Sequence, residues 1–120
     1  MPLKLRVQNR TRAVSLADRA DIADTSAKRR TGLLKHSELV PGEGLWIVPC
    51  EAVHTFRMKF PIDVLFLDKK RRILKIRPAL ARSRMAFCLR AHSVLELPSG
   101  TCERTGTVRG DQLELEKFEG

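Results

Sequence analysis

Cys50 and His54 are separated by three residues, and so are Cys88 and His92. Thiolate and imidazole are the ligands of structural zinc, so the four together would complete a Cys2His2 set. Both pairs fall in segments that read as loop or extended chain, where a spacing of four puts nothing on one face. The tighter Cys-x2-Cys pairs that mark such sites are missing. The sequence therefore predicts no metal and no cofactor. With Cys102 the cysteines number three, and this odd, widely spaced set is expected to stand as free thiols, a Cys50–Cys88 bridge being secondary.

Asp63 interrupts the apolar run from Ile62 to Leu67. A carboxylate in such a strand needs donors or takes a proton. His54, Arg57 and Lys59 precede it. One reading joins His54 and Asp63 as an acid–base pair or polar anchor, in a ligand pocket walled by Phe56 and Met58. The plainer one, preferred here, has Asp63 accepting from nearby backbone N–H groups. Glu96 is a second acid in an apolar run, between Leu95 and Leu97. Beside Asp63 it would make a carboxylate pair, but period-two alternation predicts that it faces solvent. The chain carries no nucleophile elbow, phosphate loop, dinucleotide fingerprint or His-Glu-x-x-His. The balance leans away from an enzyme, with a hydrolase built on His54 and Asp63 as an alternative.

Charge is the strongest feature of the composition. The chain of 120 residues carries a formal net charge of +9. Eight basic residues, Lys69, Lys70, Arg71, Arg72, Lys75, Arg77, Arg82 and Arg84, run without an acid, while Asp111, Glu114, Glu116 and Glu119 crowd the other end. A basic run of this kind is read first as a solvated hairpin turn and edge strand, where cations discourage strand pairing. The alternative is an anion or nucleic-acid site, for which weak, salt-sensitive binding without sequence preference is expected. With five Phe, one Trp and no Tyr, the chain has little material for stacked bases.

These residues must be positioned by strands. Leu3, Leu5 and Val7 alternate with polar residues, and Val14, Leu16, Ala20 and Ile22 keep even spacing after a polar turn, predicting a hairpin. Asp24-Thr25-Ser26 offers cap oxygens for a helix running to about His36 or Ser37, with Leu33 and Leu34 as its apolar face. Leu45 to Val48 and Ile62 to Asp68 read as interior strands. Asp68 to Arg71 turns into a strand over Arg72 to Leu80, with Leu74 and Ile76 on one face and Lys75 and Arg77 on the other. Ser93 to Leu97 is a further strand, Ser99 to Thr105 a helical turn stopped by Gly106, and Leu113 to Leu115 a last half-exposed strand. Trp46, Phe56, Met58 and Phe60 are assigned to the core.

The sum is one α+β domain over residues 1–120. It is mainly antiparallel β, a small barrel or roll of about seven strands with one helix packed on it. No leader or bilayer-length apolar run is seen, so a cytoplasmic monomer is expected.

The stretch from Cys50 to Asp68, with Val53-His54-Thr55-Phe56-Arg57-Met58-Lys59-Phe60-Pro61-Ile62-Asp63, resembles the signature of the family named domain of unknown function 192. Arg30-Thr31-Gly32-Leu33-Leu34, Gly42-Glu43-Gly44-Leu45, Val94-Leu95-Glu96-Leu97-Pro98-Ser99-Gly100 and Gly110-Asp111 resemble its other motifs, in order. The resemblance implies a small, mostly β domain without an established activity. Together with the residues it leads to a non-catalytic module for an unknown small molecule or protein, with no membrane partner and with His54, Phe56, Met58, Asp63 and Glu96 as contact candidates.

Overall fold

The computed structural model describes residues 3–32, 38–54, 59–81 and 84–120, with His54 described in its backbone alone. The strands are β1 (Leu3–Asn9), β2 (Val14–Ala23), β3 (Glu43–Ile47), β4 (Ala52–His54), β5 (Ile62–Leu67), β6 (Ile73–Leu80), β7 (Met85–Phe87), β8 (Ser93–Pro98) and β9 (Leu113–Glu119). Two short helices, α1 (Ser26–Thr31) and α2 (Thr101–Thr105), complete the described elements. The two strands beyond the expected seven are β4 and β7, which pair with each other alone. Three residues are too few for a period-two pattern to show.

Seven strands form one sheet in the order β6-β5-β8-β3-β2-β1-β9. Every neighbouring pair is antiparallel except β2 and β3, which run parallel because the chain returns through α1 before re-entering the sheet. The order is open rather than a closed barrel. The residues just ahead of its outermost strands, Arg72 before β6 and Gln112 before β9, form one antiparallel bridge.

The two faces of the central strands feed two cores. Leu65 and Leu67 of β5 pack with Leu5, Val7, Trp46, Leu95, Leu97, Cys102 and Leu113. Ile62, Val64 and Phe66 pack on the other side with Leu45, Ile47, Val94 and, from the β4–β7 pair, Val53 and Ala86. Strands β5 and β8 are thus buried on both faces. Gly44 lets β3 approach β8: a Cβ there would stand 3.0 Å from the Glu96 carbonyl oxygen and from Leu97 Cδ2.

Register departs from simple alternation in two strands. Pairing slips along β1–β2, so Leu16, Ala17, Ala20 and Ala23 are buried in β2 in place of the even-spaced set. A second irregularity between Phe66 and Leu67 places Ile73 and Ile76, not Leu74 and Ile76, against the core of Leu65 and Leu67. A bulge adds one residue on one strand and resets which side chains face in. Helix α1 begins as expected, Thr25 accepting from the Lys28 N–H. It ends at Thr31, short of the expected His36 or Ser37, because Gly32 at φ 49 leaves the helical conformation and its N–H closes on the Lys28 carbonyl; Leu33, Leu34 and His36 lie outside the described residues, as do Phe56, Arg57, Met58 and Arg82. None of the described helices is long and apolar enough to cross a membrane.

Candidate functional site

Asp63 sits where β5 meets a bulge. Ile62 opposes Leu80 and Val64 opposes Arg77, so Asp63 faces the extra pair Pro78-Ala79. Pro78 has no N–H, and the bulge removes the Ala79 N–H from the ladder. Asp63 Oδ1 accepts from that N–H at 2.8 Å and from Gly100 N–H at 3.3 Å, while Oδ2 accepts from Cys102 N–H at 2.9 Å. Gly100 precedes α2 without a side-chain cap, so Asp63 caps that helix from the neighbouring strand. The residue is 1% exposed. Of the two readings of Asp63, this is the backbone-capping geometry, and it uses both carboxylate oxygens. Beside it, burial pushes the Cys102 thiol up to about 12, and the Asp63 carboxylate adds to the shift.

Glu96 is a correction. It does not face solvent: β8 is covered on both sides and Glu96 is 5% exposed. Its strand does adjoin that of Asp63, but Asp63 opposes Leu97 while Glu96 opposes Val64 and Leu45. Successive side chains alternate across a sheet, so the two carboxylates lie on opposite faces and do not form a pair. No ion pair holds Glu96 among the described residues, and burial raises its pKa to about 7. Its charge in turn reaches Cys50, whose thiol is raised first by burial.

Cys50, Cys88 and Cys102 are free thiols. The Cys50 N–H donates to the His92 carbonyl and the Cys88 N–H to the Glu51 carbonyl, so the fold does bring the two Cys-x3-His segments side by side. Cys50 Sγ is turned to the Ala52 carbonyl at 3.1 Å. Burial, then the charges of Arg71 and Lys69, lowers the His92 pKa. Among the described residues no group of His, Cys, Asp and Glu is arranged to hold a metal ion. The His54 side chain lies outside them. Chelation is expected to leave the melting temperature unchanged; one zinc per chain retained through gel filtration would overturn this.

The arrangement that sequence reading missed is at one end of the sheet, where turns remote in sequence meet. Arg10 N–H donates to the Gln112 carbonyl, Gln112 N–H to Thr11 Oγ1, Gly110 N–H to the Ile73 carbonyl and Leu113 N–H to the Arg71 carbonyl. His92 N–H donates to the Leu67 carbonyl, which adds the 88–92 turn. The rim so formed carries eight cations: Arg10, Arg12, Lys69, Lys70, Arg71, Arg72, Arg90 and Arg109. The carboxylates among them are largely occupied. Asp68 accepts from the Lys70 and Arg72 N–H groups, Glu114 pairs with Arg10, and buried Asp111 pairs with Arg12. Burial works against the Asp111 charge, yet donors from Arg12, Asn9 and Val108 hold its pKa below the ordinary value.

Some rim cations are structural. Arg71 lies over the Trp46 ring at 4.8 Å and Arg72 donates to the Gly110 carbonyl. Trp46 Nε1, Ser93 Oγ and His92 Nδ1 are buried without a partner among the described residues. Lys69, Lys70, Arg90 and Arg109 are exposed, and no described hydrogen bond or ion pair uses their side chains. Of the remaining basic-run candidates, Lys75 and Arg77 do share one face, opposite Phe66 and Val64, and Lys75 donates to the Phe87 carbonyl at 2.8 Å. Local sequence flagged positions 69–72; Arg10, Arg12, Arg90 and Arg109 left no local signal.

A separate groove of about 570 Å³ runs under α1, where Ile22, Ala27 and Leu45 are ringed by Asp21, Asp24, Lys28 and Lys117.

The chain is 29% identical over 116 residues to the UPF0127 protein of Thermococcus sibiricus, covering 90% of this chain and 73% of that protein. A Novosphingobium aromaticivorans protein of unknown function superposes with a TM-score of 0.79 at 24% identity, over 92% of this chain and 83% of that one. A Sinorhizobium meliloti protein described as a candidate transcription regulator superposes with a TM-score of 0.82 at 22% identity, over 94% and 92%. At these identities the two structures speak for the fold. The profile of the DUF192 family, an uncharacterised group, matches residues 6–115, and the protein therefore belongs to that family.

Proposed function

We propose that this domain is a non-catalytic binding module whose partner is a polyanion, nucleic acid, held on the basic rim. The observation that carries the reading is the convergence of Arg10, Arg12, Lys69–Arg72, Arg90 and Arg109 from four turns onto one end of the sheet. A solvated hairpin alone would not gather them. Lys69, Lys70, Arg90 and Arg109 are free of structural duties among the described residues, which leaves them for phosphate oxygens. Such contacts fix position without reading sequence. The Arg72–Gln112 bridge supports a sheet rolled toward a barrel, and the three free thiols fit a cytoplasmic setting.

The test is nucleic-acid affinity against salt. Four phosphate contacts give a log–log slope of about −3 on a single strand and about −4 on duplex. Changing Lys69, Lys70, Arg90 and Arg109 together to Ala is expected to flatten that slope and weaken binding at least tenfold. No measurable binding at about 0.15 M salt, or binding indifferent to the four substitutions, would defeat the proposal.

The groove under α1 favours a second reading, a small-ligand module, because it joins an apolar floor to a few convergent charges. The pocket anticipated at His54 and Asp63 draws no support from Asp63, whose oxygens serve the backbone.

A further inference from the structure

Next to the rim is a stripe of a different character. Met85, Phe87 and Leu89 are 63%, 59% and 77% exposed, while Ala86 between them is buried. They mark the outward face of β7 and the turn that follows it. Three large apolar side chains in a row on the outside of a small domain are unusual enough to need a reason. The stripe is also continuous with the cations. Lys75 donates to the Phe87 carbonyl and stands 5.3 Å from its ring centroid. Arg90 follows Leu89, and His92 at the end of the same turn feels the charges of Arg71 and Lys69.

An exposed aromatic ring with a lysine beside it and an arginine three residues along the chain combines the two elements that bind single strands: a positive track for the backbone and a platform on which a base can stack. Duplex nucleic acid keeps its bases stacked on one another and would use the cations alone. From this contiguity we infer that the rim takes single-stranded nucleic acid, with Phe87 stacking on a base and Met85 and Leu89 extending the apolar platform. This inference rests on the polyanion reading and names the class of polyanion.

The experiment compares a labelled oligothymidylate, the same length as duplex, and vesicles of anionic phospholipid, each titrated at about 0.15 M salt with the whole domain and its variants. Phe87→Ala is expected to weaken single-strand binding about tenfold and to leave duplex binding unchanged, with Phe87→Trp restoring the single-strand affinity. The quadruple Ala variant of Lys69, Lys70, Arg90 and Arg109 is expected to weaken both. Equal effects of Phe87→Ala on both nucleic acids, no effect on either, or Phe87-dependent binding to the vesicles in place of the oligonucleotide with duplex still bound would overturn the single-strand assignment and leave the rim reading standing. Binding to neither nucleic acid by the parent domain would remove both. Phe87 is exposed, so its loss leaves the fold intact, which thermal melting verifies.

Discussion

Replacing Glu96 by Gln is expected to stabilise the domain by about 3 kcal/mol at about pH 8 and to change little near pH 4. The carboxyl is enclosed between Val64 and Leu45, and burial raises its pKa from the ordinary 4.5 to about 7. The folded state therefore holds the proton more tightly than the unfolded chain. Below about 4.5 both states are protonated at this group and Glu96 takes nothing from stability. Between there and about 7 the unfolded chain ionises while the folded one does not, so stability falls by about 1.4 kcal/mol per pH unit. Above about 7 the loss is complete and the curve levels. Glutamine has the shape of the protonated acid and does not titrate. Urea denaturation of parent and variant across this range isolates the effect as a difference, free of the other acids. Parallel curves would mean that Glu96 is charged and compensated in the folded protein.

Asp63→Ala is expected to cost about 1 to 3 kcal/mol, through the backbone it leaves behind. Three N–H groups, those of Ala79, Gly100 and Cys102, lose their acceptor, the Cys102 bond being buried and the other two part-buried. Each stranded buried donor costs about 1 to 3 kcal/mol. The damage is to the β5–β6 bulge and the start of α2 together, because one carboxylate serves both. Asp63→Asn separates this from a charge effect. Its remaining oxygen still serves Ala79 and Gly100, but its amide turns N–H toward the Cys102 N–H, so it recovers part of the loss. A denaturation midpoint unchanged in the Ala variant would show that the three donors find other partners.

Local chemistry in the sequence determined most of the strands. The alternation in Leu3 to Val7, the apolar runs at Leu45 and Ile62, the turn at Asp68 to Arg71 and the stop at Gly106 each act over a few residues, and those elements are present. The need of an acid in an apolar strand for backbone donors was likewise legible at Asp63, though not which donors, since Gly100 and Cys102 are 37 and 39 residues away. The solvent-facing expectation for Glu96 fails because alternation reports a buried face only when the other face meets water, and β8 meets it on neither. The faces on which Asp63 and Glu96 stand depend on the register of β5 against β8, set by the whole sheet. The β1–β2 and β5–β6 bulges shift which residues are core, and period two cannot foresee an inserted residue. The rim was outside the reach of any window, for charge clusters in space when distant turns are pinned by main-chain hydrogen bonds. Only the return of β9 beside β1, and its bridge from Gln112 to Arg72, brings Arg10, Arg12 and Arg109 to the lysines at 69 and 70.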